Sequence, residues 1–79
     1  MNVQDAEKRL LYYEKVISAL GSPTSFSNEK LQCRWSKALN GVEFYVSQSL
    51  TDEEKVLVNR VIEEQGKILG IKSAVIYMK

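Results

Sequence analysis

The sequence contains no histidine, one cysteine (Cys33) and one proline (Pro23) among its 79 residues. Without histidine the chain cannot build a Ser-His-Asp triad or a zinc site on Cys and His ligands. A single cysteine cannot form an internal disulfide, and a lone thiol is typical of a reducing compartment. We therefore expect a cytoplasmic protein with no metal and no cofactor.

Long apolar runs and an excess of one charge sign are also missing. No stretch approaches the roughly 18 apolar residues that a membrane-spanning helix needs, and the first ten residues, MNVQDAEKRL, are unlike a signal peptide. Lys and Arg total 11 and Asp and Glu total 10, whereas nucleic-acid-binding domains usually show a marked basic excess. We expect neither membrane nor nucleic acid as a partner.

The composition is that of one small globular domain. Hydrophobic residues make up 44% and charged residues 27% of the chain, which is too apolar for a disordered segment. We expect a single domain over residues 1–79, with the possibility that it is a fragment of a longer chain. A domain of this size buries only about 60% of its unfolded surface, so self-association would add stability.

The segment from Asn2 to Leu20 has the periodicity of an amphipathic helix, and Gly21 is suited to end it. Its apolar residues recur at spacings of three and four, on one stripe of the helix. This stripe consists of Val3, Ala6, Leu10, Tyr13, Ile17 and Leu20, and Leu11 and Val16 widen it. The spacing fits a coiled coil that joins two chains or an ordinary docked helix, and the short length favours the docked helix.

Two segments of alternating polarity, Leu31–Leu39 and Val42–Gln48, predict a β-hairpin around Asn40-Gly41. Asn-Gly favours a two-residue type I′ turn, which would pair Trp35 with Val46. One face of this hairpin is apolar and is expected to cover the core. That face carries Leu31, Cys33, Trp35, Leu39, Val42, Phe44 and Val46.

A second helix is predicted from Leu50 to Leu69. Thr51 and Glu54 have the spacing of a capping box, in which both side chains bond free backbone N–H groups. Gly66 suggests close packing within the helix, and Gly70 is the expected stop. The buried face is expected to contain Leu57, Val58, Val61, Ile62, Ile68 and Leu69.

The last segment, Ile71–Met78, predicts a strand with apolar residues on both faces. The order α-β-β-α-β predicts an α+β fold, with a three-stranded, mainly antiparallel sheet, its first strand central, and two helices on one face. If the second face stays uncovered, Ala74, Ile76 and Met78 form an exposed apolar patch, which often marks an interface. The alternative is a strand covered by loop residues such as Phe26.

No group of residues indicates a catalytic site, and we expect no enzyme activity. Cys33 falls on the predicted core face, where a free cysteine acts as a small hydrophobe. The acidic residues after Thr51 are explained by helix capping. Base stacking on the exposed sheet face would need several aromatic and basic residues, and only Arg34 and Tyr45 qualify.

Residues 35–57 resemble part of a known family. Trp35, Asn40-Gly41, Leu50-Thr51 and Glu54-Lys55, followed by Leu57, are similar to a segment near the start of PucR-type transcription regulators. In that family a short strand pair and a Leu-Thr-x-x-Glu-Lys helix start precede sensory and DNA-binding parts. The resemblance implies a regulatory accessory module.

These observations predict a small interaction or regulatory module that acts through protein contacts, with a second copy of itself as the favoured partner. The candidate interface comprises Ala74, Ile76 and Met78 on the last strand and Leu10 and Tyr13 on the first helix. The alternative function is small-molecule sensing, in an apolar pocket between the first helix and the sheet.

Overall fold

The structure, a computed structural model, describes residues 3–21 and 30–78. The elements are α1 (Val3–Leu20), β1 (Leu31–Ser36), β2 (Gly41–Ser47), α2 (Asp52–Leu69) and β3 (Lys72–Met78). The predicted α+β fold and its element order are confirmed. Phe26, suggested as a cover for the last strand, lies outside the described residues.

The central strand of the sheet is β2, so the expectation that β1 would be central was wrong. The strand order is β1-β2-β3, with β1 and β2 antiparallel and β2 and β3 parallel, which makes the sheet mixed. Helix α1 packs along β1, where the Tyr13 hydroxyl donates to the Leu31 carbonyl at 3.3 Å. Strand β3 pairs with the other side of β2, parallel to it, after the crossover through α2.

The turn between β1 and β2 has four residues, not two as predicted. Trp35 pairs with Val42, and the Asn40 N–H donates to the Lys37 carbonyl at 3.3 Å within the turn. A type I′ turn would need positive φ at Asn40 and Gly41, but only Asn40 has it, at 55°. The pairing therefore differs from the predicted register by four residues.

Because this difference is an even number, the same side chains share each face of the hairpin as predicted. Residues Leu31, Val42, Phe44 and Val46 are fully buried, and Cys33 and Trp35 are half-buried. Leu39, expected on the same face, lies in the turn instead. The alternation of polarity thus predicts the faces even though the turn type is wrong.

Gly41 is required by the pairing of β2 with β3 rather than by the turn between β1 and β2. It is buried opposite Lys72, and a Cβ atom at this position would overlap the Lys72 backbone carbonyl. The parallel pairing of β2 with β3 begins at this contact. A side chain at position 41 would therefore hold the two strands apart.

Both helices pack on one face of the sheet, α1 beside β1 and α2 beside β3, and they pack against each other. Tyr12 lies where these elements meet. Its ring meets Phe44 edge to face at a centroid distance of 4.9 Å, and its hydroxyl donates to the Ile62 carbonyl. The buried core consists of Tyr12, Val16, Leu31, Val42, Phe44, Val46, Leu50, Val58, Val61 and Ile62.

Several helix residues that were expected in the core are exposed. In α1 the core positions are Tyr12 and Val16, while Val3 and Leu10 are 73% and 49% exposed. In α2, Leu57 and Ile68 are exposed as well. Periodicity indicates that a helix has an apolar face but does not fix how the helix is rotated on the sheet. The observed rotation of α1 directs Tyr12 toward Phe44 and the Ile62 carbonyl and leaves Val3 and Leu10 exposed.

The ends of α2 are formed as predicted. The Glu54 N–H donates to Thr51 Oγ1 at 3.1 Å, and the Thr51 N–H donates to Glu54 Oε1 at 2.9 Å, which completes the capping box. Gly70 ends the helix in the left-handed region, with φ of 70°. Gly66 is buried, and a Cβ there would lie 2.5 Å from the Tyr12 hydroxyl, so the predicted close packing is confirmed.

The capping box makes stability depend on pH. The hydrogen bond from the Thr51 N–H lowers the pKa of the Glu54 carboxyl below its ordinary value of 4.5. Such a group contributes stability above its unfolded pKa and loses it as the pH falls through the folded pKa. We expect Glu54→Gln, which keeps the acceptor but cannot titrate, to lose less stability in acid than the wild type. Urea unfolding at pH 7 and pH 3 measures this, and equal losses would contradict it.

Candidate functional site

The face of the sheet opposite the helices is the first candidate surface. Neither helix packs against it, because both lie on the side of Phe44 and Val46. We call it the open sheet face. Strand alternation and the observed register place on it Gln32, Arg34, Glu43, Tyr45, Ser47, Ala74, Ile76 and Met78.

The three predicted β3 residues form an apolar strip along the open sheet face. Ile76 is 37% exposed, and Ala74 and Met78 on either side of it are half-buried. Tyr45 on β2 pairs with Ile76 and extends the strip toward the centre of the sheet. The structure therefore brings these three predicted residues together on one surface.

A charged pair lies beside this strip. Arg34 Nε donates to Glu43 Oε1 at 2.8 Å across the antiparallel strands, and the Tyr45 hydroxyl donates to the same oxygen at 3.2 Å. The hydrogen bond from Arg34 lowers the pKa of the Glu43 carboxyl, which is therefore charged at neutral pH. The Arg34 guanidinium also lies 5.8 Å from the centroid of the Tyr45 ring. These residues were absent from the predicted interface, although their alternation placed them on the exposed face.

The second candidate surface is the apolar stripe of α1, which contains Leu10 and Tyr13. We call it the α1 flank, and it consists of Val3, Ala6, Leu10, Tyr13, Ile17 and Leu20. The Ser47 N–H donates to the Lys30 carbonyl, so these two residues form a hydrogen-bonded pair of the antiparallel strands. Such pairs alternate with non-hydrogen-bonded ones, so the N–H and C=O of the next residue, Leu31, point away from β2 toward the outer edge of β1. Because Tyr13 bonds the Leu31 carbonyl, the α1 flank lies over the outer edge of β1.

The five predicted interface residues are thus divided between two surfaces. Ala74, Ile76 and Met78 lie on the open sheet face, and Leu10 and Tyr13 lie on the α1 flank, on the helical side of the molecule. The sequence shows which residues are apolar, but only the fold shows which of them share a surface.

Cys33 has the setting of a packed residue rather than a nucleophile. Its side chain is half-buried, and burial raises the pKa of the thiol despite the Arg9 Nη1 atom 3.8 Å from Sγ. A raised pKa keeps the thiol protonated at neutral pH, and the thiolate is the reactive form. This arrangement favours a structural role for Cys33.

The space predicted to be a pocket, between α1 and the sheet, is filled by Tyr12 and Val16. An open groove of about 340 Å³ lies at its margin, where Arg9 and Tyr13 meet β1. A larger open groove, of about 530 Å³, lies between α2 and β3. Among residues 3–21 and 30–78, no three acidic, Cys or His side chains are placed to hold a metal ion.

Neither described helix is long and apolar enough to cross a membrane. No protein-family model, no curated protein and no solved structure matches this chain.

Proposed function

We propose that the chain is a non-catalytic interaction module that associates with a second copy of itself through the open sheet face. The observation that carries the proposal is the strip formed by Ala74, Ile76 and Met78, which neither helix covers. Burial of apolar surface is the main favourable contribution to protein association. A strip that neither helix of the described part of the chain covers would therefore gain stability from a partner.

Charge favours a second copy as that partner. The open sheet face carries Arg34 and Glu43 side by side, and a two-fold contact presents the same surface from both sides. Because these two charges already neutralise each other within one chain, the face can meet an identical face without net repulsion, whereas a partner of one charge sign would find no net opposite charge on it. Arginine, tyrosine and methionine, all present on this face, are enriched in protein interfaces.

The size of the surface predicts a weak association. Strands of six and seven residues give a face roughly 20 Å long and 14 Å wide, on the order of 300 Å² of flat area. A standard interface buries about 800 Å² on each partner. We therefore expect a transient contact with a micromolar or weaker dissociation constant, as is common for regulatory modules.

Ile76→Asp tests this contact. In the wild type, we expect the average molar mass to rise with concentration from micromolar to millimolar. The variant should show a lower mass at each concentration, because a carboxylate without a partner is costly to bury in the interface. Sedimentation velocity measures the mass, and circular dichroism verifies the fold.

Ile68→Asp is the matched control, because Ile68 is an isoleucine of α2 that is 73% exposed and lies in the helical layer. The average molar mass of Ile68→Asp should equal that of the wild type at each concentration. Coincident curves for the wild type and Ile76→Asp would remove the open sheet face as the contact surface.

A small-molecule sensor is the second candidate function, and the groove between α2 and β3 favours it. Its lining combines apolar Ile62 and Val75 with polar Asn59, Lys67 and Ser73, a mixture typical of ligand sites. This function would be favoured if a metabolite raises the unfolding temperature of the protein and if Ile76→Asp leaves the average molar mass unchanged. The resemblance to PucR-type regulators suits either function as a regulatory accessory module.

A further inference from the structure

We infer that the outer edge of β3 pairs with the same edge of a second copy, antiparallel and about a two-fold axis at Val75, which joins the two three-stranded sheets into one. This edge is a different surface from the open sheet face, so the inference goes beyond the proposed function. Among residues 3–21 and 30–78, β2 is the only strand that pairs with β3. Residues 22–29, which the structure does not describe, connect α1 to β1, and β1 lies on the other side of β2.

The backbone groups of β3 point alternately toward β2 and toward the outer edge. The Gln48 N–H donates to the Met78 carbonyl at 3.3 Å, so the N–H and C=O of Met78 point toward β2. Alternation along the strand therefore directs the N–H and C=O of Ser73, Val75 and Tyr77 outward. No residue in the described part of the chain bonds these outward groups. They are free to pair with another strand.

Strand β3 lacks the features that usually protect an edge against pairing. These features are proline, a bulge, charged side chains or a covering element. The stretch from Ser73 to Met78 contains no proline and no charge, and its pairing with β2 contains no bulge. The other edge of the sheet differs, because β1 carries Arg34 and the Tyr13 hydroxyl bonds the Leu31 carbonyl. A strand partner is therefore favoured at β3.

Pairing about Val75 fits a second copy of the same strand. Val75 of one copy then faces Val75 of the other, and Ser73 faces Tyr77, as hydrogen-bonded pairs that exchange both N–H···O bonds. Lys72 is the charged residue of β3 and lies at its start. In this register Lys72 faces Met78 of the other copy, so the two lysines lie at opposite ends of the pair and do not repel each other at short range.

The groove between α2 and β3 borders this edge and favours the same partner. Its described lining residues belong to α2, to β3 or to the residues between them, so the groove lies on the β3 side of the molecule. Ile62 and Val75 supply apolar lining, and Val75 of a second copy would lie beside them on the helical side of the sheet. Glu63 and Lys67, also in the lining, are paired with each other at 3.5 Å.

Edge pairing would also enlarge the open sheet face. Ala74 of each copy lies opposite Ile76 of the other, so the two apolar strips become continuous across the axis. Two sheets joined in this way present on the order of 600 Å² of flat area, nearer to the roughly 800 Å² that each partner buries in a standard interface. Two different two-fold contacts on one chain connect more than two copies. We therefore expect wild-type assemblies that exceed the mass of a dimer at high concentration.

Amide hydrogen exchange, measured residue by residue with nuclear magnetic resonance, tests the edge. At concentrations far below the dissociation constant of the pair, the Val75 N–H should exchange fast, because it has no partner within the chain. At about ten times that constant, mass action leaves about a fifth of the chains unpaired, so exchange at Val75 should slow about fivefold. The Ala74 and Ile76 amides are the internal control. Their N–H groups point toward β2, so their exchange should be slow at every concentration.

Val75→Pro removes the central donor of the pair, with Val75→Ala as its control. Because the Val75 N–H points away from β2, proline at this position breaks no hydrogen bond of the sheet. Both variants lose the valine side chain, but only alanine keeps the N–H. At each concentration Val75→Pro should show a lower average molar mass than Val75→Ala in sedimentation velocity. Where the wild type exceeds the dimer mass, it should reach no more than twice the monomer mass.

The exchange of the wild type decides the inference even if Val75→Pro does not fold, which circular dichroism reveals. A contact through the open sheet face leaves the β3 edge in water. Fast exchange at Val75 at every concentration would therefore overturn the edge pairing and leave the proposed function standing, with the edge open to a strand of another protein. Slowed exchange at Val75, with equal masses for Ile76→Asp and the wild type, would support the edge pairing and overturn the open sheet face. A wild type that stays monomeric at millimolar concentration would overturn both.

Discussion

Replacing Gly41 with alanine is expected to destabilise the chain by about 3 kcal/mol, the upper range for overpacking. The new Cβ would overlap the backbone carbonyl of Lys72, and backbone cannot move aside as a flexible side chain can. Relief requires β2 and β3 to separate at the start of their parallel pairing. At about 0.05–0.15 kcal/mol per residue, the whole chain has only about 4–12 kcal/mol of stability. Urea unfolding measures the loss.

Gly70→Ala is the control for this substitution. Gly70 has a positive φ, and no atom of the non-neighbouring residues among 3–21 and 30–78 lies within 4 Å of the position of a Cβ, so we expect its replacement to carry the conformational cost of about 1–2 kcal/mol. Gly41 lacks a positive φ, and its cost is therefore steric. A Gly41→Ala variant no less stable than Gly70→Ala would show that the two strands accommodate a methyl group.

Replacing Tyr12 with alanine is expected to cost about 3–5 kcal/mol, the usual range for removing a buried aromatic ring. Tyr12 contacts Phe44 of β2 and the Ile62 carbonyl of α2, so its loss loosens both helices. Tyr12→Phe keeps the ring and should cost only about 1 kcal/mol for the hydrogen bond. Thermal and urea unfolding of both variants measure the difference, and equal costs would contradict the role of the ring.

The contact between Tyr12 and Gly66 can be isolated by a double-mutant cycle. A Cβ at Gly66 would lie 2.5 Å from the Tyr12 hydroxyl oxygen and 3.4 Å from the ring carbon that bears it, and its 3.1 Å contact with the Ile71 carbonyl oxygen is the same in both backgrounds. Gly66→Ala should therefore be destabilising in the wild type and less so in Tyr12→Phe, where alanine also favours the helix. The same cost in both backgrounds would mean that the hydroxyl is not the obstacle.

Local signals in the sequence predict much of this fold. The spacing of Thr51 and Glu54 predicts the start of α2, and Gly70 predicts its end, because both depend on neighbouring backbone groups. Alternation between Leu31 and Val46 predicts the two faces of the hairpin. A change of register by an even number of residues leaves this pattern unchanged. The predicted faces are therefore correct although the predicted turn is wrong.

The features that the sequence does not predict depend on contacts between distant residues. The position of β3 depends on its pairing with β2 across the intervening α2, and the rotation of α1 depends on how Tyr12 packs against Phe44 and bonds the Ile62 carbonyl. The four-residue turn is stabilised by Asn40 with φ of 55°, while Gly41 is needed by β3. Asn40 therefore stabilises the turn, and Gly41 allows the close approach of β3.

The candidate surfaces were predicted only in part, because they also depend on contacts between residues that are distant in the sequence. The apolar residues of β3 lie on both of its faces, so the sequence already indicates that some must lie away from the helices. The pairing of Tyr45 with Ile76 depends on the parallel register and was not predictable. For α1 the stripe was recognised, but only the fold shows that Val3 and Leu10 are exposed while Tyr13, Ile17 and Leu20 pack against the core.

The parallel pairing of β2 with β3 also bears on how the chain folds. The hairpin of β1 and β2 needs only a four-residue connection, whereas β3 reaches β2 only after the chain has passed through the whole of α2. The entropy lost on closing a loop grows with its length, and non-local pairing slows folding. We therefore expect β3 to dock last in folding, on the hairpin as its template.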